Sequence, residues 1–338
     1  MQKAEIASFA RLLVTDTSRN LVRVFFLREK LKSLADGDWS GKRVHVIGAG
    51  AMGGDIAAWC ACHGFTVTLA DMKAEPLGKA IERAADLFGK IGHRSIDTRD
   101  ALDRLIPDLT GEGVRTADLV IEAVPETLEL KRKIYAATEP KMRPGAILAT
   151  NTSSIPLQEL RVGLQRPDHL VGLHFFNPVS RMQLVEVVSH DEVSPDVLAK
   201  GRAFIGRLDR LPAPVKSAPG FLVNRALTPY MLEALVMLRE GYKRETIDAA
   251  AEAFGMPMGP IELADTVGLD ICVAVGKLLT PDATPPKRLT ELVTAGHLGR
   301  KTQRGFYDYA SGKPAKHAAG AVPAGLADRL IGPFVAEA

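Results

Sequence analysis

Apolar residues change their spacing three times along this chain. Over residues 1–38 they fall at helical intervals, Ile6, Phe9, Leu12 and Leu13 in one stretch and Leu21, Val24, Phe25, Leu27, Leu31 and Leu34 in the next, until Asp36-Gly37-Asp38 breaks the pattern. Two amphipathic helices are expected there, and their apolar faces need a partner surface. From residue 39 to about 216, short apolar runs at 44–48, 67–71, 119–123, 147–151, 170–174 and 184–188 alternate with helical stretches. That alternation predicts an α/β domain, a mostly parallel sheet covered by helices.

Beyond Pro219-Gly220 the texture becomes helical, with Phe221 to Glu240 as one long helix and Gly241 placed to cap it. The expected organisation is a helical lead segment or linker over 1–38, the α/β domain over 39–216 and a smaller all-helical domain over 217–310. A tail over 311–338, rich in Ala, Gly and Pro, ends in a helix-like stretch after Ala324 and reads as the possible start of a truncated second helical domain. No internal repeat is visible.

Composition narrows the function classes. The chain has 338 residues, 46% hydrophobic and 25% charged, which suits two globular domains. Its formal charge of +3 comes from scattered Lys and Arg with no basic run, so nucleic acid is not an expected partner. Lys3, Glu5 and Arg11 interrupt any secretory leader, and no apolar run reaches the ~20 residues that span a bilayer. Cys60, Cys62 and Cys272 form neither a disulfide framework nor a metal spacing, so no metal is expected and a reduced, cytoplasmic setting is.

The stretch from Lys42 to Gly54, K-R-V-H-V-I-G-A-G-A-M-G-G, sets G-x-G-x-x-G where an apolar strand turns into a helix. Gly48 permits the tight turn, Gly50 lets a pyrophosphate approach the backbone, and Gly53 lets helix and strand pack closely. The helix N-terminus then presents N–H groups and a positive dipole end to the phosphates. Asp71 ends the next strand 23 positions after Gly48, where a carboxylate takes the ribose hydroxyls and repels a 2′-phosphate. A Rossmann-type domain binding NAD in preference to NADP follows, with Lys73 as a countervailing charge. A glycine-rich turn of another α/β domain is the plain alternative.

His174 ends one apolar run and Glu186 lies in the next. If the two strands fold back about Ser180, 174 and 186 become cross-strand neighbours, with Cβ atoms about 4.5–5.5 Å apart. A carboxylate on one imidazole nitrogen fixes the tautomer while the other nitrogen takes a substrate proton. The spacing serves a buried histidine satisfied by a structural glutamate equally well. Asn151-Thr152-Ser153-Ser154 follows another strand and brings hydroxyls to the same edge, although such a cluster also suits a helix cap. Asn224 opens an otherwise apolar helix, where an amide often serves the local backbone instead.

Six runs together resemble the L-3-hydroxyacyl-CoA dehydrogenase family: Gly48-Ala-Gly-Ala-Met-Gly53, Asn151-Thr-Ser-Ser154, Gly172-Leu-His-Phe-Phe-Asn-Pro178, Leu184-Val-Glu-Val187, Pro219-Gly-Phe-Leu-Val-Asn-Arg225 and Pro257-Met-Gly-Pro260. The resemblance covers roughly residues 40 to 310. It implies oxidation of an L-3-hydroxyacyl-CoA to the 3-ketoacyl-CoA with NAD, as in fatty-acid β-oxidation. It further implies that His174 is the base, Glu186 its orienting carboxylate, and Ser153 and Asn224 the hydrogen-bond partners of the reacting oxygen. For the cofactor it implies Gly48, Gly50, Ala51, Met52, Gly53, Asp71 and Asn151, with Glu126 and Lys131 of V-P-E-T-L-E-L-K on the nicotinamide side.

The lead segment, with R-E-K-L-K-S-L, resembles the linker that joins a hydratase domain to the dehydrogenase in multifunctional fatty-acid oxidation proteins. No hydratase residues are visible, and no hydratase activity is expected. The expected partners are an acyl-CoA substrate and, for assembly, a homodimer through the helical domain or the other domains of a multifunctional protein. Two rival readings remain at this point. One is a dehydrogenase of short acyl-CoAs such as 3-hydroxybutyryl-CoA, or of CoA-free hydroxy acids. The other is a catalytically weak NAD-binding assembly module.

Overall fold

The computed structural model describes residues 2–91, 95–279 and 284–338. The chain divides into two compact units, Met1–Ser217 and Ala218–Ala338. The first is built on eight strands: β1 (Arg43–Ile47), β2 (Thr66–Ala70), β3 (Leu105–Asp108), β4 (Leu119–Glu122), β5 (Ile147–Thr150), β6 (Leu170–Phe175), β7 (Leu184–Ser189) and β8 (Leu211–Lys216). They lie in the order β3-β2-β1-β4-β5-β6-β7-β8. All neighbours pair parallel except β6 with β7. This is the doubly wound Rossmann arrangement, and its strand order reverses at β1 and β4, the crevice where open α/β sheets place ligands.

Among the described residues the α-helices of this unit are α1 (Gln2–Leu13), α2 (Asp16–Ser33), α3 (Ala51–Cys62), α4 (Ala74–Ile91), α5 (Ser95–Asp103), α6 (Leu128–Thr138), α7 (Leu157–Leu160) and α8 (Pro195–Arg207). The central strands β4, β5 and β6 are buried on both faces, as parallel strands between helices must be. Leu119, Ile121, Ile147, Ala149, Val171 and Leu173 join one apolar cluster with Ile56, Leu77, Phe88 and Phe204 of α3, α4 and α8. Val120, Leu148 and Leu170 point the other way, to Tyr135 of α6 and Leu160 of α7.

Six strands are evident from the apolar runs, and the structure adds β3 and β8. Both lie at edges of the sheet. Both also contain proline, Pro107 in β3 and Pro212 and Pro214 in β8, which lack the N–H of an interior ladder and are tolerated at an edge. The lead helices form as expected. Arg28 of α2 donates to Gln183 Oε1 and Leu34 accepts from Arg202 Nε, yet Phe9, Phe25 and Phe26 stay 65%, 58% and 64% exposed.

The second unit consists of α9 (Val223–Arg239), α10 (Arg244–Phe254), α11 (Pro260–Val267), α12 (Leu269–Leu279), α13 (Lys287–Thr294) and α14 (Leu326–Glu337). Tyr230, Ala234 and Met237 of α9 pack with Ile247, Ile261, Leu269, Leu289 and Tyr307. Asp248, 1% exposed, accepts the Ile261 and Glu262 amides that open α11 and the Tyr307 hydroxyl. Burial pushes its carboxyl up to about 6 against those bonds and the Lys316 charge. Within residues 311–338, Leu326, Leu330 and Ile331 of α14 enter the same core, and Arg329 pairs with Glu233 and Glu240 of the α9 segment.

Candidate active site

The turn from β1 into α3 follows its glycines. Gly48 has φ 103°, the left-handed region that favours glycine. A Cβ added at Gly53 would lie 1.9 Å from the Gly48 carbonyl oxygen, so close packing demands glycine there. At Gly50 an added Cβ meets no protein atom within 4 Å, so protein packing does not require this glycine. A backbone approach by a bound group does require it, which fits a pyrophosphate. Ala51, Met52 and Gly53 open α3 after the Gly50 N-cap, and the first amides of a helix lack acceptors within it.

Asp71 stands beside this turn, its Oδ2 accepting the Ala49 N–H at 2.9 Å and its Oδ1 the Lys73 N–H at 3.2 Å. The carboxylate is thereby fixed at the end of β2. Arg83 of α4 reaches the same turn, donating to the Gly50 carbonyl at 3.1 Å and lying 3.6 Å from Asp55. Sequence reasoning did not single it out, since its helical face carries no motif.

The ends of β4 and β5 carry a polar network, buried at Glu122, Lys131, Thr150 and Thr152 and open to solvent at Glu126. Glu126 Oε1 accepts the Thr152 hydroxyl, the Ser153 and Ser154 amides at 2.9 and 3.0 Å, and the Ser154 hydroxyl at 3.0 Å. Burial raises the Glu126 carboxyl, but the Lys131 charge and the donors of the loop outweigh it and hold the group below the usual range. Lys131 is only 1% exposed, with its Nζ 2.7 Å from Glu122 and 3.2 Å from Glu126. The structure therefore places Glu126 as the gatherer of the 152–154 loop and Lys131 beneath it. Glu122, 0% exposed, is a hub that sequence reasoning missed, because it ends an apolar run and reads as part of a strand.

His174 and Glu186 are direct partners across the antiparallel β6–β7 pair. His174 Nδ1 lies 2.6 Å from Glu186 Oε2, with 5% and 0% exposure for the two residues. The imidazole rests against the Phe176 ring at 4.5 Å. One residue after the histidine, Phe175 donates its N–H to Asn151 Oδ1 at 2.9 Å, which braces the end of β5 against the strand that carries His174. Ser153 belongs to the loop that leaves β5. Asn224 lies in the first turn of α9, in the second unit, where its carbonyl accepts the Thr228 hydroxyl at 2.8 Å.

Comparison with known proteins identifies the family of the chain. Residues 43–218 match the family model described as 3-hydroxyacyl-CoA dehydrogenase, NAD binding domain, and residues 220–309 match its C-terminal domain. A fatty acid oxidation complex subunit alpha from Psychrobacter sp. (strain PRwf-1) is 37% identical over 96% of this chain and 48% of its own length. The chain thus spans about half the length of the curated relatives it matches. Among solved structures, 3-hydroxybutyryl-CoA dehydrogenase from Escherichia coli K12 is 36% identical with a TM-score of 0.75, covering 85% of this chain and 63% of that one. The (S)-3-hydroxybutyryl-CoA dehydrogenase from Ralstonia eutropha is also 36% identical with a TM-score of 0.75, covering 80% of this chain and 100% of that one.

Proposed function

The chain belongs to the 3-hydroxyacyl-CoA dehydrogenase family, and on that premise we propose that it oxidises an L-3-hydroxyacyl-CoA to the 3-ketoacyl-CoA in fatty-acid oxidation. The observation that carries the reading is the buried His174–Glu186 pair at 2.6 Å. NAD, the cofactor of the matched domain, supplies the hydride acceptor when bound. Glu186 holds Nδ1 and stabilises the charged ring, which assigns proton exchange to Nε2. In the oxidation Nε2 takes the hydroxyl proton as the hydride leaves the same carbon, and in reduction it returns that proton. Base assistance of this kind contributes about 10²- to 10⁴-fold.

Ser153 is proposed to hydrogen-bond the reacting oxygen from the loop gathered by Glu126, and Asn224 to bind substrate on the strength of its motif match. Gly48, Gly50, the opening amides of Ala51, Met52 and Gly53, and Asp71 would hold the dinucleotide, with Asn151 and Glu126 at its nicotinamide end. Lys131 serves that end through Glu126. The test is NADH absorbance with a 3-hydroxyacyl-CoA series and a CoA-free hydroxy acid as control. A short-chain substrate is favoured by the two similar structures named for 3-hydroxybutyryl-CoA.

Among the described residues no helix is long and apolar enough to cross a membrane. A cytoplasmic setting, and operation as part of a larger assembly in the manner of relatives named as subunits of a fatty acid oxidation complex, complete the proposal. For assembly we retain a homodimer through the helical unit. Its surface would be the exposed Leu222, Phe254, Val267 and Ile271, because α14 lies against α9. Sedimentation at twice 36.4 kDa supports it, and a stable monomer removes it.

A further inference from the structure

Glu122 is wholly buried, and both oxygens of its carboxylate are engaged. Oε1 accepts the Val124 N–H and Lys131 Nζ, each at 2.7 Å, and Oε2 accepts the Tyr135 and Thr150 hydroxyls at 2.8 and 2.9 Å. Two routes run from this one side chain to the loop after β5. Through Lys131 it reaches Glu126, whose Oε1 takes the amides of Ser153 and Ser154. Through Thr150, whose hydroxyl oxygen accepts the Thr152 N–H at 3.2 Å, it reaches the residue just before Ser153.

A buried ion pair is poor evidence of a stabilising device, since apolar residues of similar volume often do as well or better in its place. A lysine and two glutamates with their partners satisfied in this way instead define one geometry. We infer that Glu122 is a positioning residue, holding the 152–154 loop where Ser153 meets the substrate oxygen. The inference rests on the assignment of Ser153 made above. Misplacement of a substrate-holding group by about 1 Å can cost on the order of 10²-fold in rate.

Two variants test it, Glu122→Gln and the double variant Glu122→Gln/Lys131→Met. The single variant leaves the Lys131 ammonium with one carboxylate fewer and is expected to lose thermal stability; the double variant removes the buried cation and regains it. In both, backbone amide exchange at Ser153 and Ser154 is expected to quicken at least tenfold and kcat for a 3-hydroxyacyl-CoA to stay on the order of 10²-fold low, and in the single variant the NAD Kd moves less than threefold. Recovery of kcat and amide protection together with stability in the double variant would overturn the inference and leave Glu122 a structural residue. The exchange measurement needs no substrate. Unchanged exchange therefore defeats the positioning role, whereas wild-type protein inactive on every acyl-CoA defeats the proposed function.

Discussion

His174 Nδ1 and Glu186 Oε2 meet at 2.6 Å across β6 and β7, directly opposite in the ladder and almost wholly removed from solvent. A pair held this way should act as a unit. Glu186→Gln puts an amide where the carboxylate fixes the tautomer and stabilises the imidazolium, so kcat is expected to fall on the order of 10²-fold or more. Glu186→Gln combined with His174→Gln should be about as slow as His174→Gln alone. Losses that multiply in the double variant would show the two residues working independently.

The glycine turn separates packing from cofactor binding. Gly53→Ala drives a methyl group toward the Gly48 carbonyl at 1.9 Å and should lower stability by about 1–3 kcal/mol. Gly50→Ala meets no protein atom within 4 Å, so its stability should stay within about 0.5 kcal/mol of wild type while the NAD Kd rises about tenfold. Thermal melts of the two variants, with and without NAD, decide the matter. A destabilised Gly50→Ala would contradict the assignment.

Asp71 is bound to the Ala49 amide, so Asp71→Ala should loosen the turn as well as delete the proposed ribose contact and the repulsion of a 2′-phosphate. Charge-assisted bonds contribute about 1.5–3 kcal/mol, so the NAD Kd should rise about 10- to 100-fold and the preference over NADP should narrow. Titration with both dinucleotides measures this. An unchanged NAD to NADP ratio would move the discrimination elsewhere, first to Lys73.

Much of this arrangement is legible in the order of residues, and what is not has physical causes. The β6–β7 pairing follows from symmetry about Ser180, because strand side chains alternate with period two and the register decides which pairs meet. The edge strands β3 and β8 escape notice through Pro107, Pro212 and Pro214, which argue against a strand until its place at an edge is known. Glu122 hides within the apolar run of β4, and its partners Lys131, Tyr135 and Thr150 come from 9, 13 and 28 residues away. Helix α14 is legible as the helix-like stretch after Ala324, but only the fold shows that α9 receives its apolar face.

Stability of the second unit should depend on pH through Asp248. Burial raises its carboxyl to about 6 in the folded protein from 3.8, so between those values the folded state holds a proton that the unfolded chain has lost. Stability from this group is therefore greatest below about pH 4, falls as pH rises to about 6, and is level above. The difference corresponds to about 3 kcal/mol at ~1.4 kcal/mol per unit. Asp248→Asn removes the titration, so its destabilisation relative to wild type should be larger at pH 4 than at pH 7. Denaturant unfolding at the two values shows it, and a penalty that grows toward pH 7 would reverse the sign of the argument.

The central claim is that His174, oriented by Glu186, moves the proton while the glycine turn independently holds NAD. It is tested most directly by NADH formation from L-3-hydroxybutyryl-CoA, with NAD binding measured on the same samples of wild type and His174→Gln. The account predicts turnover by wild type, a loss of about 10²- to 10⁴-fold in kcat for the variant, and an NAD Kd within about threefold for both. A variant that keeps its rate within about tenfold of wild type, or that loses NAD and turnover together, would contradict it.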